Sequence, residues 1–278
     1  MNIIYCKNNC EFLNNINKYK YQGLSGSGIY IYNNKLLVKK INNKDDSEIK
    51  NINLIINLTK KSQFKIFFAQ HFKLYIYKNY NYIFMKRYID TVRFIHYKSI
   101  EEFKNIVQQI LLASLYKNYI LGLYHNDFHL DNILYKNIDN IIDINFYGIK
   151  LKIKDKLIKI IDFDSLGKEF TSCIQNGHPF QICSNAKRYL KNSKNENIIY
   201  NEFIIALLFF LIKSKIKNNK VIVFDIKRGM LYDDFVSSYE KIYNFIQSHK
   251  IKNKFEDYIR FYNYIDNNFI DFFTPLHI

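Results

Sequence analysis

The chain has 278 residues, 48% of them hydrophobic and 17% aromatic, which excludes wholesale disorder and suffices for one large domain or two lobes. Its formal charge of +16 and sequence pI near 9.4 favour polyanionic partners: an acidic protein, an acidic membrane surface or nucleic acid. The wealth of Asn, Lys, Ile and Tyr is that of an AT-rich coding sequence, and the lysines are spread along the chain rather than clustered, which favours reading them as ordinary solubilising residues; a nucleic-acid partner is not favoured.

In chain order, residues 1–20 are polar and carry no pattern. Gly23-Leu24-Ser25-Gly26-Ser27-Gly28 is the one glycine cluster, followed by two β-like runs at 29–32 and 35–41 around Asn33-Asn34. That arrangement predicts a tight hairpin. Asp45, Asp46 and Glu48 precede Ile49, Ile52, Ile55, Ile56 and Leu58, the front of an amphipathic helix. Residues 64–89 read as further strands, with Phe72, Leu74 and Ile76 alternating before Tyr82 and Phe84 on a second strand. Aromatics interleave with lysines here, but alternation explains the segment better than base stacking.

From about residue 99 the period becomes helical, with Ile106, Ile110, Leu111, Ser114 and Leu115 on one face of a helix reaching about 123. Residues 135–159 predict a hairpin around Tyr147-Gly148 and a β-like run. After Asp162 the chain reads as irregular to about 195 and helical thereafter. The apolar run 203–212 is too short to span a bilayer and predicts a buried helix. A strand-rich first third and a helix-rich remainder imply an α+β protein with two lobes. The four cysteines form no C-x-x-C pair and no histidine stands at zinc-finger spacing, which argues against structural zinc. With no apolar leader run, the expectation is a reduced, soluble, intracellular protein.

The chemistry concentrates in His125-Asn126-Asp127-Phe128-His129-Leu130-Asp131-Asn132 and, thirty residues on, Ile160-Ile161-Asp162-Phe163-Asp164. An Asp, an Asn five residues later and a second Asp after a β-like run suit phosphoryl transfer from ATP. One carboxylate orients or deprotonates an acceptor hydroxyl, while an amide oxygen and another carboxylate hold Mg²⁺ against the phosphates. Gly23, Ser25, Gly26 and Gly28 could let backbone N–H groups approach phosphates, although no P-loop Gly-Lys-Ser/Thr follows. Alternation sends only one of Lys39 and Lys40 to a given face. A phosphate-binding Lys needs a carboxylate partner, for which Glu48 stands first and Asp45 and Asp46 remain open. Glu48 also reads as a helix-dipole residue.

These motifs resemble the H-x-D-x-x-x-x-N catalytic loop and D-F-G metal motif of the protein-kinase-like superfamily. Residues 36–39 resemble V-A-I-K, which favours Lys39, and 83–88 resemble a kinase strand and hinge, which implicates Met85 and Arg87 in nucleotide binding. The resemblance covers about 20–215 and implies a two-lobed fold, about 20–89 and 90–278, with an ATP cleft between the lobes. It implies Asp127 as the catalytic base, Lys39 on the α- and β-phosphates, and Asn132 and Asp162 on Mg²⁺. His125 is implied as structural and His129 as steadying the transferring phosphate, with a surface histidine as the other reading. Asp131 falls where the family varies.

His129 in place of the usual Lys is shared by divergent protein kinases and by small-molecule kinases of the aminoglycoside and choline type. The strand and hinge sequences, and D-F-D after a long insert, are similar to haspin-like, poxvirus and large-DNA-virus serine/threonine kinases. For such a viral kinase the expected place is the host cytoplasm or the virion. Asp164 replaces the D-F-G glycine and no A-P-E follows, which touches peptide binding more than ATP binding. The expected function is a serine/threonine protein kinase using ATP and Mg²⁺ on a protein substrate, with an acidic one favoured by charge. A small-molecule O-phosphotransferase and a pseudokinase scaffold are the alternatives.

Overall fold

The computed structural model describes residues 2–5, 13, 28–33, 35–42, 46–169, 202–223, 232–252 and 254–274. The chain divides into two compact units, Met1–Asp90 with Lys159–Ser165, and Thr91–Ile158 with Leu166–Ile278. It is a mixed α+β protein, with a largely antiparallel sheet first and helices interleaved with small sheets later. No helix among the described residues is long and apolar enough to cross a membrane.

The first unit contains β1 (Asn2–Tyr5), β2 (Gly28–Asn33), β3 (Leu36–Asn42), α1 (Ser47–Thr59), β4 (His71–Tyr77) and β5 (Tyr80–Lys86). The sheet order is β1-β4-β5-β3-β2, with β1 parallel to β4 and the other pairs antiparallel. Central strand β5 is buried at five of its seven residues, because both of its faces are covered. Cross-strand pairs Leu37↔Met85 and Lys39↔Ile83 share one face; Val38↔Phe84 and Lys40↔Tyr82 share the other. That second face carries a cluster of Leu13, Val38, Tyr82 and Phe84, with Tyr30, Tyr32 and Tyr75 against it. Helix α1 buries Ile49, Ile52 and Ile55 at helical spacing.

Two expectations change here. Residues 64–67 are not strand: Gln63–Phe67 is a 3₁₀ turn in which the Ser62 hydroxyl accepts the Phe64 N–H at 3.1 Å. Phe64 and Phe67 are both buried, so the apolar run served a tight turn's inner side rather than alternation. The patternless N-terminus supplies β1, whose parallel partner lies some seventy residues away.

In the second unit, α2 (Ile100–Leu115) opens at Ser99, whose hydroxyl accepts the Glu102 N–H at 3.1 Å, while Glu102 accepts the Lys98 N–H at 2.6 Å. This is close to a capping box. The strands are β6 (Asp90–Thr91), whose first residue closes the first unit, β7 (Ile133–Asn137), β8 (Ile142–Phe146), β9 (Ile149–Ile153) and β10 (Lys156–Ile160), whose last two residues belong to the first unit; their sheet order is β10-β7-β6, with β8 and β9 as a separate pair. The β8–β9 hairpin turns at Tyr147 and Gly148, at φ 47° and 84°, the positive values a type I′ turn requires. Buried polar residues of α2 satisfy backbone beside them: Asn105 donates to Lys152 O at 2.6 Å, and Gln109 donates to Lys156 O at 2.9 Å and accepts the Ile158 N–H at 3.0 Å.

After β10 come α3 (Glu202–Lys213), β11 (Ser214–Lys217), β12 (Lys220–Val223), α4 (Tyr232–Ser248), α5 (Phe255–Asn267) and α6 (Phe269–Phe273). The predicted buried helix is α3, buried at every residue but Phe209. The expectation of helix throughout is corrected by the β11–β12 hairpin, which turns at Asn218 and Asn219 with φ 51° and 57°. Most of the stretch read as irregular, 170–201, lies outside the described residues, as do all four cysteines.

Candidate functional site

In the first unit, strand alternation brings Lys39 to the face it shares with Leu37, Ile83 and Met85. Its ammonium lies 2.8 Å from Glu48 Oε2 and 2.6 Å from Asp162 Oδ1. Lys39 and Glu48 are both buried, at 5% and 4% exposure. Burial alone would lower the Lys39 pKa, but Glu48 and Asp162 outweigh it and hold the ammonium above its ordinary value. Burial pushes the Glu48 carboxyl up to about 7 against the pull of Lys39, and Asp162 and Asp164 add to the push. Lys40, on the other face, lies over the Tyr80 ring at 3.9 Å instead. Asp46 forms an exposed pair with Lys50, which leaves Glu48 as the buried partner; Asp45 lies outside the described residues.

Asp162 sits at φ 63°, in the left-handed region that a non-glycine residue enters at a cost. Its neighbours are tied to the same unit. The Ala69 N–H donates to Ile160 O at 2.9 Å, and the Asn51 amide donates to Phe163 O at 2.7 Å and Asp164 O at 3.3 Å. The Phe163 ring is buried against Phe68 and His71.

In the second unit, His129 leads into a 3₁₀ turn, Leu130–Asn132. This turn returns Asn132 to Asp127. The Asn132 amide donates to Asp127 Oδ2 and to its carbonyl, both at 3.0 Å. Both donations use the nitrogen, so the Asn132 amide oxygen takes no part in them and is the group suited to a hard cation. His129 Nδ1 accepts the Asp131 N–H at 3.2 Å, which in the neutral ring puts the proton on Nε2, 3.5 Å from Asp127 Oδ2. Asp131 is paired with Arg93 at 3.0 Å.

This loop is fixed from beneath by residues the sequence did not single out. Glu202, at the start of α3, accepts the backbone N–H groups of His125 and Asn126, the latter at 3.0 Å. Glu202 also pairs with Lys117, both side chains being essentially without exposure. Burial lowers the Lys117 pKa and Glu202 opposes that. Asn126, like Asp162, is left-handed, at φ 61°. A Cβ at Gly167 would stand 3.3 Å from the Asn126 amide nitrogen, so a small residue there suits the loop. The signal for Glu202 was a lone acid before an apolar run, which reads equally as a helix-dipole residue.

The described structure thus brings together Lys39, Glu48 and Asp162 in one unit, and Asp127, His129 and Asn132 in the other. His125 is fully buried with its ring near Phe128. Met85 is buried on β5, and the Arg87 N–H donates to Lys35 O at 2.8 Å. Gly28 opens β2 opposite Lys40, while Gly23, Ser25 and Gly26 lie outside the described residues. Among the described residues no group of three Asp, Glu, His or Cys could by itself hold a metal. No protein-family model matches the chain, and no curated protein matches its sequence.

Proposed function

We propose that this protein is a serine/threonine protein kinase of the two-lobed kinase-like class, transferring the γ-phosphate of ATP to a protein hydroxyl. The observation that carries the reading is the buried Lys39 ammonium held between Glu48 and Asp162. Two carboxylates keep it charged and in place, as a cation for the α- and β-phosphates must be. On this reading Asp162 and Asn132 are the residues that would each supply an oxygen to Mg²⁺. When bound, Mg²⁺ would neutralise phosphate charge. Asp127, its rotamer fixed by Asn132, takes or orients the proton of the acceptor hydroxyl. His129 Nε2–H supports the Asp127 carboxylate or meets the transferred phosphate.

The test is incubation with labelled ATP and Mg²⁺ in the presence of Ser/Thr proteins and, separately, small hydroxyl compounds. Label is expected on protein. Asp127→Asn should lower transfer by about 10²-fold or more while nucleotide still raises the melting temperature. Lys39→Ala should weaken the nucleotide effect itself. Label only on an aminoglycoside- or choline-like compound would transfer the site to the small-molecule class. Nucleotide binding without transfer would make it a scaffold.

A further inference from the structure

Beside α1, within the first unit, lies a cavity of about 420 Å³. Its wall is apolar where Ile52, Ile55 and Ile56 on successive turns of α1 meet Phe68 and Phe163. All of these except the half-buried Ile56 are buried. Three lysines line the same space. Lys159 is buried and donates to the Ile66 and Phe68 carbonyls, so its charge is a fixed part of the wall. Lys60 and Lys65 are exposed, and their long stems let the ammonium groups follow a ligand. Among the described residues no Asp or Glu lines the cavity. Lys39, Glu48 and Asp162 do not line it either, so the cavity is distinct from the site above.

The volume lies within the range of small-molecule pockets. Isoleucine and phenylalanine walls favour an apolar body that releases water on entry. Cations with no lining carboxylate favour a negative head and repel a positive one. A nucleotide has too little apolar surface to use this wall, and a plain hydrocarbon leaves the lysines unused. We propose that the cavity is a binding site for a small amphiphilic carboxylate of the fatty-acid type, tail against α1 and Phe163, head at Lys60 and Lys65. Glu48 occupies the first turn of the same helix, so the ligand touches the element that carries the Lys39 partner. The proposal stands on the cavity alone and does not depend on phosphotransfer.

Isothermal calorimetry of the full chain with dodecanoate below its micellar range tests it, with dodecanol and dodecyltrimethylammonium run alongside. Saturable binding of one dodecanoate is expected, with weaker dodecanol and no ammonium binding. The double variant Lys60→Glu/Lys65→Glu alters two exposed side chains and should fold as the parent does. It should weaken dodecanoate about tenfold, the scale of two reversed surface charge contacts, and leave dodecanol unchanged. Ile56→Trp should fill the cavity and abolish both. Absence of saturable dodecanoate binding, equal affinity for dodecanoate and dodecanol, or undiminished dodecanoate binding by the lysine double variant would each overturn the proposal.

Discussion

His71 shows how far the surroundings of Lys39 depart from water. Its imidazole is 9% exposed and lies edge-on to the Phe163 ring. Burial, opposed by a backbone hydrogen bond with Ala69 and reinforced by the positive Lys39, lowers its pKa from 6.5 to about 4. The unfolded chain therefore binds the His71 proton more readily than the folded one. The resulting stability is fully present above about pH 6.5 and is lost as pH falls through about 4. Full loss corresponds to about 3 kcal/mol. Urea unfolding at pH 7 and at pH 4 should show the parent losing most of that amount beyond what His71→Gln loses. Equal losses would mean that His71 is not buried as the neutral ring. At this scale the sequence was legible in part: strand alternation separated Lys39 from Lys40 without saying which faced the site, and the five-residue spacing singled out Asp127 and Asn132 without showing the bond between them. Glu48 could not be separated from Asp45 and Asp46, because only the fold says which carboxylate is buried. Asn51 and Arg93 left no signal, since each acts on a residue far along the chain, at 112 and 38 positions' distance.

Elements were legible when their turn chemistry was local. The Tyr147-Gly148 hairpin was read from its turn, and the β2–β3 hairpin from an Asn-Asn pair. A second such pair, Asn218-Asn219, turns β11 into β12 and was passed over, because the long apolar run before it favoured helix. β1 left no trace, because a parallel strand pairs with a distant partner rather than with its chain neighbour. Helix α2 is buried nearly all round, so its period was weaker than its burial. The Lys117–Glu202 pair joins the turn after α2 to the start of α3 and to the loop before Asp127, residues 85 positions apart. Removing one member of a fully buried pair leaves the other charge uncompensated, at a cost of about 3–5 kcal/mol. Lys117→Met should therefore be strongly destabilised in urea. Lys117→Met/Glu202→Gln should recover much of the loss, since glutamine still accepts from His125 and Asn126 without a buried charge. A double variant less stable than the single would show that the pair's worth is not electrostatic.

For the whole molecule the governing quantity is net charge. Lys and Arg outnumber Asp and Glu by 41 to 25, an excess large enough to set the potential that an approaching partner meets. On the kinase reading, the substrate that gains most from this field carries acidic residues near its Ser or Thr. The gain acts mainly on encounter, because exposed charges do little once in contact with water and salt. It must then fade as salt rises, since screening at physiological ionic strength sets in beyond about 8 Å. Two Ser-containing proteins of similar size, one acidic and one basic, compared at low and high salt, separate this from local recognition. The acidic protein should be phosphorylated faster at low salt, chiefly through kcat/KM, and the two rates should converge at high salt. A preference for the basic protein, or an acidic preference that survives high salt undiminished, would place acceptor choice in a local pocket rather than in the charge of the molecule.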